Sequence, residues 1–303
     1  MEKTAEGKQK DMRNKKTFFI RAAAVFIAAC LILSLSGCSS GTLKTKKIPD
    51  FPVTVGEVEI TKPPQKIISL SPGVTDILRY MRLDYILCGV SDYCAVSGER
   101  ELPKYGTAQA PSLDEIKADG IQLILTQSEL SLYDAENLSQ AGIDIVCFAP
   151  ADSVAELERL YTDIATSMLG ELEGRQKGGY YFKRLNGEIG GIQSASGAKV
   201  LLMIGADAVA TGDTLLGSLL TLAGYQNVAD GYKNYTMPGE DIANAQIDFL
   251  FCAEEFSKEI KSQAFFKKLD VVKSKNVACI SIEPFERQGQ GLVDGMKQMD
   301  SCF

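Results

Sequence analysis

The chain has 303 residues, room for about two domains, and its 45% hydrophobic and 23% charged residues fit a globular protein and exclude a disordered one. The formal charge of −7 conceals an asymmetry: residues 1–37 hold seven Lys or Arg and three Asp or Glu, leaving 25 basic and 36 acidic residues, net −11, on the rest. An acidic body excludes binding to nucleic acid by clustered bases, and the absence of histidine excludes imidazole metal sites, Ser-His-Asp or Cys-His catalysis and histidine proton switches.

Lys15 and Lys16, with Arg13 before them and Arg21 after, precede an apolar run of fourteen residues from Ala22 to Leu35. That is the length of a signal-peptide core and short of the roughly 20 residues of a membrane span. The run ends in Leu35-Ser36-Gly37-Cys38 followed by Ser39-Ser40-Gly41, which resembles the bacterial lipobox. The resemblance implies diacylation of Cys38, a mature chain that starts there, and an extracytoplasmic, membrane-anchored location. The competing reading is an uncleaved anchor that ends by chance in Gly-Cys. Residues 1–11 are more polar and longer than the positive segment of a signal peptide requires, so Met12 is a candidate start. Residues 38–50 form the expected lipid-anchored tether.

Six cysteines lie beyond Cys38: Cys88, Cys94, Cys147, Cys252, Cys279 and Cys302. Their spacing matches neither a staple framework nor CxxC metal knuckles. Cys88, Cys147, Cys252 and Cys279 sit in short apolar runs, where cysteine serves as a small hydrophobe. Cys88 with Cys94 is the candidate local bridge, weighed against two free thiols.

Val53 to Ile60 alternates like one edge strand and stops at Pro63-Pro64. From there short apolar runs alternate with amphipathic stretches, the pattern of βαβ units. Predicted strands are Lys66–Leu70, Tyr85–Val90, Gln122–Thr126 and Ile143–Phe148, with helices over Val74–Met81, from Ser112, and over Asp134–Ala141. They complete a doubly wound N-terminal α/β lobe over 51–150. Residues 151–197 read as a helical connector: Ser153–Met168, capped by Asp152 or Ser153 with Glu156 near the third position, then a long helix over 171–194 diluted by six glycines. A C-terminal α/β lobe over 198–303 has predicted strands Val200–Ile204, Phe249–Ala253 and Val277–Ile282. Its predicted helices are Leu215–Ala223, Gln263–Leu269 and Leu292–Met299. The expected fold class is therefore α/β, two Rossmann-like lobes with parallel sheets flanked by helices, joined by a long connecting helix, with a ligand cleft between them.

Six phrases in order carry a family resemblance over about residues 50–303. They are Lys66–Pro72 with Thr75-Asp76-Ile77-Leu78; Gly89-Val90-Ser91-Asp92-Tyr93; Leu102-Pro103-Lys104-Tyr105-Gly106; Pro111–Ile116; Leu222-Ala223-Gly224 with Asn227-Val228 and Gly239–Ile242; and Phe285-Glu286-Arg287. Together they resemble the substrate-binding proteins of ABC importers for cobalamin and iron–siderophores, the class III type with two lobes on one rigid helix. Phe285-Glu286-Arg287 and the Ser91-Asp92-Tyr93 turn look closest to the cobalamin binders. The chain departs from the usual pattern in having Gly120-Ile121-Gln122 and Gln246-Ile247-Asp248 where Pro-Asp is common, and in having no Trp.

The resemblance implies no enzyme activity, no resident cofactor or metal, and a monomer. The expected cargo is a corrinoid, ferric siderophore or haem, itself a cobalt or iron chelate, and the expected partner is a membrane permease with a cytoplasmic ATPase. It implies docking of the permease on one acid per lobe, Asp114 or Glu115 in the first and Glu240 in the second. Their alternative role is helix-start electrostatics, with Ser112 as cap in the first lobe. For the cleft, Tyr93, Tyr105 and Tyr235 are the candidate aromatic walls. Arg287, after the Val277–Ile282 strand, is the candidate anion or carbonyl anchor, against pairing with Glu283 or Glu286. Ser71 and Pro72 are candidate backbone contributors. Two other classes compete with this reading: a lipid-anchored chelatase- or hydrolase-like enzyme on the same scaffold, and a sensor that uses the binding fold. No GxSxG, HExxH, P-loop or Rossmann fingerprint is present.

Overall fold

The structure, a computed structural model, describes residues 50–94, 101–192 and 195–303. Cys38, the expected signal peptide and all of the tether but Asp50 lie outside the described residues. No helix among the described residues is long and apolar enough to cross a membrane.

The first element is a hairpin rather than the single strand expected over Val53–Ile60: β1 (Val53–Val55) pairs antiparallel with β2 (Val58–Ile60). The reversal falls at Gly56, whose φ of 60° is the left-handed region. The apolar alternation also changes parity there, Val53 and Val55 giving way to Val58 and Ile60.

The N-terminal lobe follows as β3 (Ile67–Ser69), α1 (Pro72–Tyr80), β4 (Leu87–Val90), α2 (Leu113–Ala118), β5 (Leu123–Thr126), α3 (Leu132–Gln140) and β6 (Asp144–Cys147). All four strands of its sheet are parallel, in the order β4-β3-β5-β6. Two helices then run in succession, α4 (Val154–Leu169) and α5 (Glu171–Gly190). The C-terminal lobe contains β7 (Lys199–Met203), α6 (Leu215–Leu222), β8 (Gln226–Asn227), α7 (Gly239–Asn244), β9 (Phe249–Ala253), α8 (Ser257–Ser262), α9 (Asp270–Lys273), β10 (Val277–Ile280), α10 (Glu283–Glu286) and α11 (Gln290–Asp300). Its parallel sheet has the order β8-β7-β9-β10. By position within each lobe both sheets run second, first, third, fourth, so the lobes share one topology.

Residues alternate between two covered faces, as buried parallel sheets require. In the first lobe Ile67, Leu123 and Leu125 face a core shared with the connector, while Ile68 and Ile124 face an outer core with Ile116 and Leu138. In the second lobe Val200, Leu202 and Phe251 face the shared core, while Leu201, Met203, Leu250 and Cys252 face an outer core under α7, α8 and α9. The shared core also takes Leu157, Tyr161 and Ile164 from α4, Leu185 and Ile189 from α5, and Leu292, Val293, Met296 and Met299 from α11. One continuous apolar body therefore runs through both lobes.

One local expectation is corrected. The helix expected over Gln263–Leu269 lies earlier, as α8, because Gln263 is extended at φ −67° and ψ 139°; Phe266–Lys268 then makes a single 3-10 turn that seats Phe266 in the outer core. The connector has the two helices expected, and Gly170, at φ 87°, breaks α4 from α5. Ser153 caps α4 by accepting from the Glu156 N–H, and Glu156 accepts from the Asp152 N–H in return.

The glycines of α5 have a packing reason at two positions. A Cβ on Gly174 would lie 2.3 Å from Thr166 Cα, and one on Gly178 would lie 2.6 Å from Thr162 Cα and from the Tyr161 carbonyl oxygen. Four residues apart, they form a smooth strip on which the backbone of α4 rests. Gly179 has nothing within 4 Å of its notional Cβ. Alanine is therefore expected to have opposite effects at these neighbours. Gly178→Ala forces two backbones apart and should cost about 1–3 kcal/mol, whereas Gly179→Ala should add up to about 1 kcal/mol through helix propensity. Urea unfolding of the two variants checks both signs.

Candidate functional site

In an open parallel sheet the crevice forms beyond the carboxyl ends of the strands, where the strand order reverses. In the first lobe that place lies between β3 and β5, and the residues following these strands meet there. Ser71 Oγ donates to Gln127 Oε1 at 2.9 Å and accepts the Val74 N–H at 3.3 Å as the cap of α1. This double role orients the Gln127 amide, whose buried Nε2 has no acceptor among the described residues. Gly73 makes the space, since a Cβ there would come within 2.1 Å of Gln127 Oε1.

A cleft of about 400 Å³ opens at this point, within the size range of small-molecule sites. From the first lobe it is lined by Ser71, Pro72, Asp76, Arg79, Tyr93 and Gln127, and from the second by Glu283, Glu286 and Arg287, which follow β10. Two guanidiniums, three carboxylates and the Ser71 and Gln127 dipoles thus face one space. Arg287 Nη2 stands 3.7 Å from Glu283 Oε1, and its buried Nε has no partner among the described residues.

A clasp holds the cleft's two walls. Asp76 on α1 accepts from the N–H groups of Gly289 and Gly291 at 3.1 and 3.0 Å, so a carboxylate of the first lobe caps α11 of the second. Gly289 admits it closely; a Cβ there would lie 2.8 Å from Asp76 Oδ2. Gln288, buried and left-handed at φ 51°, accepts from the Ala151 N–H at 3.0 Å and donates to the Ala151 carbonyl at 2.6 Å. Tyr161 Oη donates to the Gln288 carbonyl at 3.0 Å. Arg287 is thus set next to a doubly anchored residue.

Burial pushes the Asp76 carboxyl above its ordinary value of 3.8, although the two glycine N–H groups and the Arg287 guanidinium pull it down. A raised carboxyl pKa means the folded state binds the proton more tightly. The stabilisation it carries is complete below the ordinary value and is lost as the pH rises through the raised one. Asp76→Asn keeps an acceptor and removes the titration. The urea midpoint of the native chain is therefore expected to fall relative to that of Asp76→Asn as pH rises across this window, and a constant difference would contradict the assignment.

The structure gathers Ser71, Pro72, Tyr93 and Arg287 around the cleft, with Tyr93 75% exposed on its wall. Tyr105 is corrected: it is 4% exposed, donates to Asp119 Oδ2 at 2.6 Å, and lies over Gly89, where a Cβ would come within 2.1 Å of its ring. It is a packing residue of the outer core of the first lobe. Tyr235 does not line the cleft; its hydroxyl donates to the Asp152 carboxylate at the start of α4, a second contact between lobe and connector. Its left-handed backbone, shared with Asn234, is held by Thr211 Oγ1 and the Asp213 carboxylate.

Asp114 and Glu115 occupy the first turn of α2, and Glu240 the first turn of α7, all exposed. Among the described residues Asp114 has a 3.8 Å approach to Lys117. Ser112 is corrected as a side-chain cap, since its hydroxyl makes no capping bond to α2. Cys88 and Cys94 are not bridged to each other: Cys88 Sγ donates to the Ile67 carbonyl, and Cys94 Sγ is in contact with Thr75 Oγ1. Cys147 is exposed rather than a core hydrophobe.

Sequence reasoning missed Asp76, Arg79, Gln127 and Gln288. Asp76 stands inside the Thr75-Asp76-Ile77-Leu78 motif, and the Gln288-Gly289-Gln290-Gly291 run signals close backbone approach. Gln127 carries no signal beyond following a strand.

No protein-family model matches the chain. A Bacillus subtilis (strain 168) protein described as an uncharacterized ABC transporter substrate-binding lipoprotein, YvrC, is 22% identical, over 91% of this chain and 94% of the relative. Among solved structures, a possible iron-binding (periplasmic solute-binding) protein from Staphylococcus epidermidis superposes with a TM-score of 0.66 at 20% identity, covering 80% of this chain and 99% of that one. The periplasmic haem-binding protein HutB of Vibrio cholerae superposes at 0.62 with 16% identity, covering 78% and 98%. The described chain therefore has the two-lobed α/β fold of class III substrate-binding proteins.

Proposed function

We propose that this chain is the extracytoplasmic binding subunit of an ABC importer, held to the membrane by a lipid on Cys38. It captures a corrinoid or a ferric chelate, siderophore or haem, between its lobes. Delivery is to a permease driven by a cytoplasmic ATPase. The observation that carries this reading is the cleft itself, where Ser71, Gln127, Arg79 and Arg287 converge at the strand ends of two lobes with their walls already clasped. Fixed donors beside exposed Tyr93 suit a large cargo with an apolar face and peripheral oxygens. The similarity to an ABC transporter substrate-binding lipoprotein and to iron- and haem-binding proteins supports the same class.

In this reading Arg287 holds a carboxylate, phosphate or amide oxygen of the cargo, and Tyr93 lies against its flat or apolar part. Asp114 or Glu115 and Glu240 present carboxylates to basic pockets of the permease. Cargo release depends on the permease more than on wide lobe opening, because the shared core and the Asp76 and Gln288 bonds join the lobes. Calorimetry of residues 39–303 against cyanocobalamin, cobinamide, haem and a set of ferric siderophores tests the proposal. Sub-micromolar binding to one of them, weakened by Arg287→Ala, is the expected result. Silence across the set, or binding indifferent to Arg287 and Tyr93, would reject the assignment of cargo to this cleft.

A further inference from the structure

The outer core of the C-terminal lobe contains two cysteines that the cargo-binding reading does not use. β9 and β10 are parallel neighbours, and their register sets Cys252 opposite Cys279. Both face the outer core, because the residues before them, Phe251 and Ala278, belong to the shared core. Directly paired residues of adjacent strands have Cα atoms about 4.8 Å apart, inside the roughly 4.4–6.8 Å that a disulfide spans. The two sulfurs lie 2.9 Å from each other, each the other's hydrogen-bond partner. The remaining described cysteines are placed differently: Cys88, Cys94 and Cys302 contact Ile67, Thr75 and Gln298 respectively, and Cys147 is exposed.

We propose that Cys252 and Cys279 are a thiol–disulfide site, oxidised to a cross-strand bond that ties the edge strand β10 to β9. The oxidant is an external disulfide, either a small molecule or an exchange enzyme. A cysteine thiolate attacks one of its sulfurs and expels the other as a thiolate. The second cysteine then attacks the mixed disulfide, forming the Cys252–Cys279 bond and releasing the remaining half. Two cysteine thiols lose two electrons and two protons, and one external disulfide becomes two thiols.

Burial and the bond to Cys279 push the Cys252 thiol up to about 12, so the folded dithiol is a slow nucleophile. The bond therefore forms while the strands are still open to solvent, and once formed it is shielded. Cys252 is fully buried and Cys279 half-buried at the sheet edge. The consequence reaches the cleft, because β10 leads directly into Glu283 and Arg287. Oxidation fixes the strand from which that wall hangs.

The test is to refold the purified full chain from the reduced, denatured state in a mixture of reduced and oxidised glutathione. Remaining thiols are blocked with N-ethylmaleimide, and the unreduced digest is read by mass spectrometry. The expected product is one linked peptide pair containing Cys252 and Cys279, lighter by two hydrogens than its reduced parts. Reduction should lower the melting temperature by roughly 5–10 °C. The melting temperature of the Cys252→Ala/Cys279→Ala variant should be the same with and without reductant. Maleimide on both residues, or a bond from either to another cysteine, would overturn the proposal. Neither readout involves cargo, so the result stands apart from the binding panel.

Discussion

Changing Asp114 and Glu240 together to alanine is expected to reduce uptake roughly tenfold or more while cargo affinity of the soluble chain stays unchanged. Both carboxylates are exposed, on the first turns of α2 and α7, and neither has a strong partner among the described residues to lose. Neither lines the cleft, so truncation should leave the cargo's surroundings intact. Their role in the proposed mechanism is to meet basic groups on a permease, one from each lobe, so that only a chain with both lobes correctly disposed docks. Removing two such charges slows association and weakens the docked state. Raising the salt concentration should reproduce part of the effect in the native chain, because screening acts on exposed pairs. Transport into vesicles containing the permease, set beside calorimetry of the same variant, separates the alternatives. A parallel fall in affinity would place these residues in the cargo site. Unchanged uptake would leave them as helix-start charges, and Glu115→Ala would then show whether the neighbour serves in the first lobe.

Gln288→Ala is expected to lower stability by about 2–4 kcal/mol, read as a fall in urea midpoint with little change in slope. The side chain satisfies both the N–H and the carbonyl of Ala151, and both residues are buried. Alanine leaves two buried backbone groups without partners, each costing about 1–3 kcal/mol. The effect should extend to function, since Arg287 immediately precedes Gln288 and depends on it for placement. Cargo affinity is therefore expected to fall with stability, whereas Tyr105→Phe, which removes only the bond to Asp119, should leave affinity unchanged. A Gln288→Ala chain with native affinity would show that Arg287 is held by α10 and Glu283 alone.

The alternation of apolar runs with amphipathic stretches was enough to read two α/β lobes, because parallel strands buried on both faces must be continuously apolar and their crossovers must be amphipathic. Phe249–Ala253 is such a run, and its predicted and observed limits coincide. Ser71, Pro72, Tyr93 and Arg287 were legible as cleft residues for a related reason: they follow strand ends, where a doubly wound sheet opens. Local chemistry also narrowed the α4 cap to Asp152 or Ser153, with Glu156 near the third position, and the structure places it on Ser153.

Other features were decided by contacts between segments far apart in the chain. Tyr105 and Tyr93 are both loop tyrosines on sequence grounds; only the position of Gly89 beneath one ring makes the first a core residue and leaves the second exposed. The six glycines of the connector read as a weakness in a helix, and two became its packing surface once α4 lay against them. Asp76 and Gln288 are 212 positions apart, yet adjoining parts of one clasp, and Cys252 meets Cys279 through a strand register that no spacing rule contains. Sequence by itself determined which elements form and which ends of them carry chemistry, because propensity, capping and hydrophobic period act over a few residues. The tertiary structure decided which polar groups remain free to meet a ligand, because satisfaction of a buried donor or acceptor depends on whatever partner the fold brings to it.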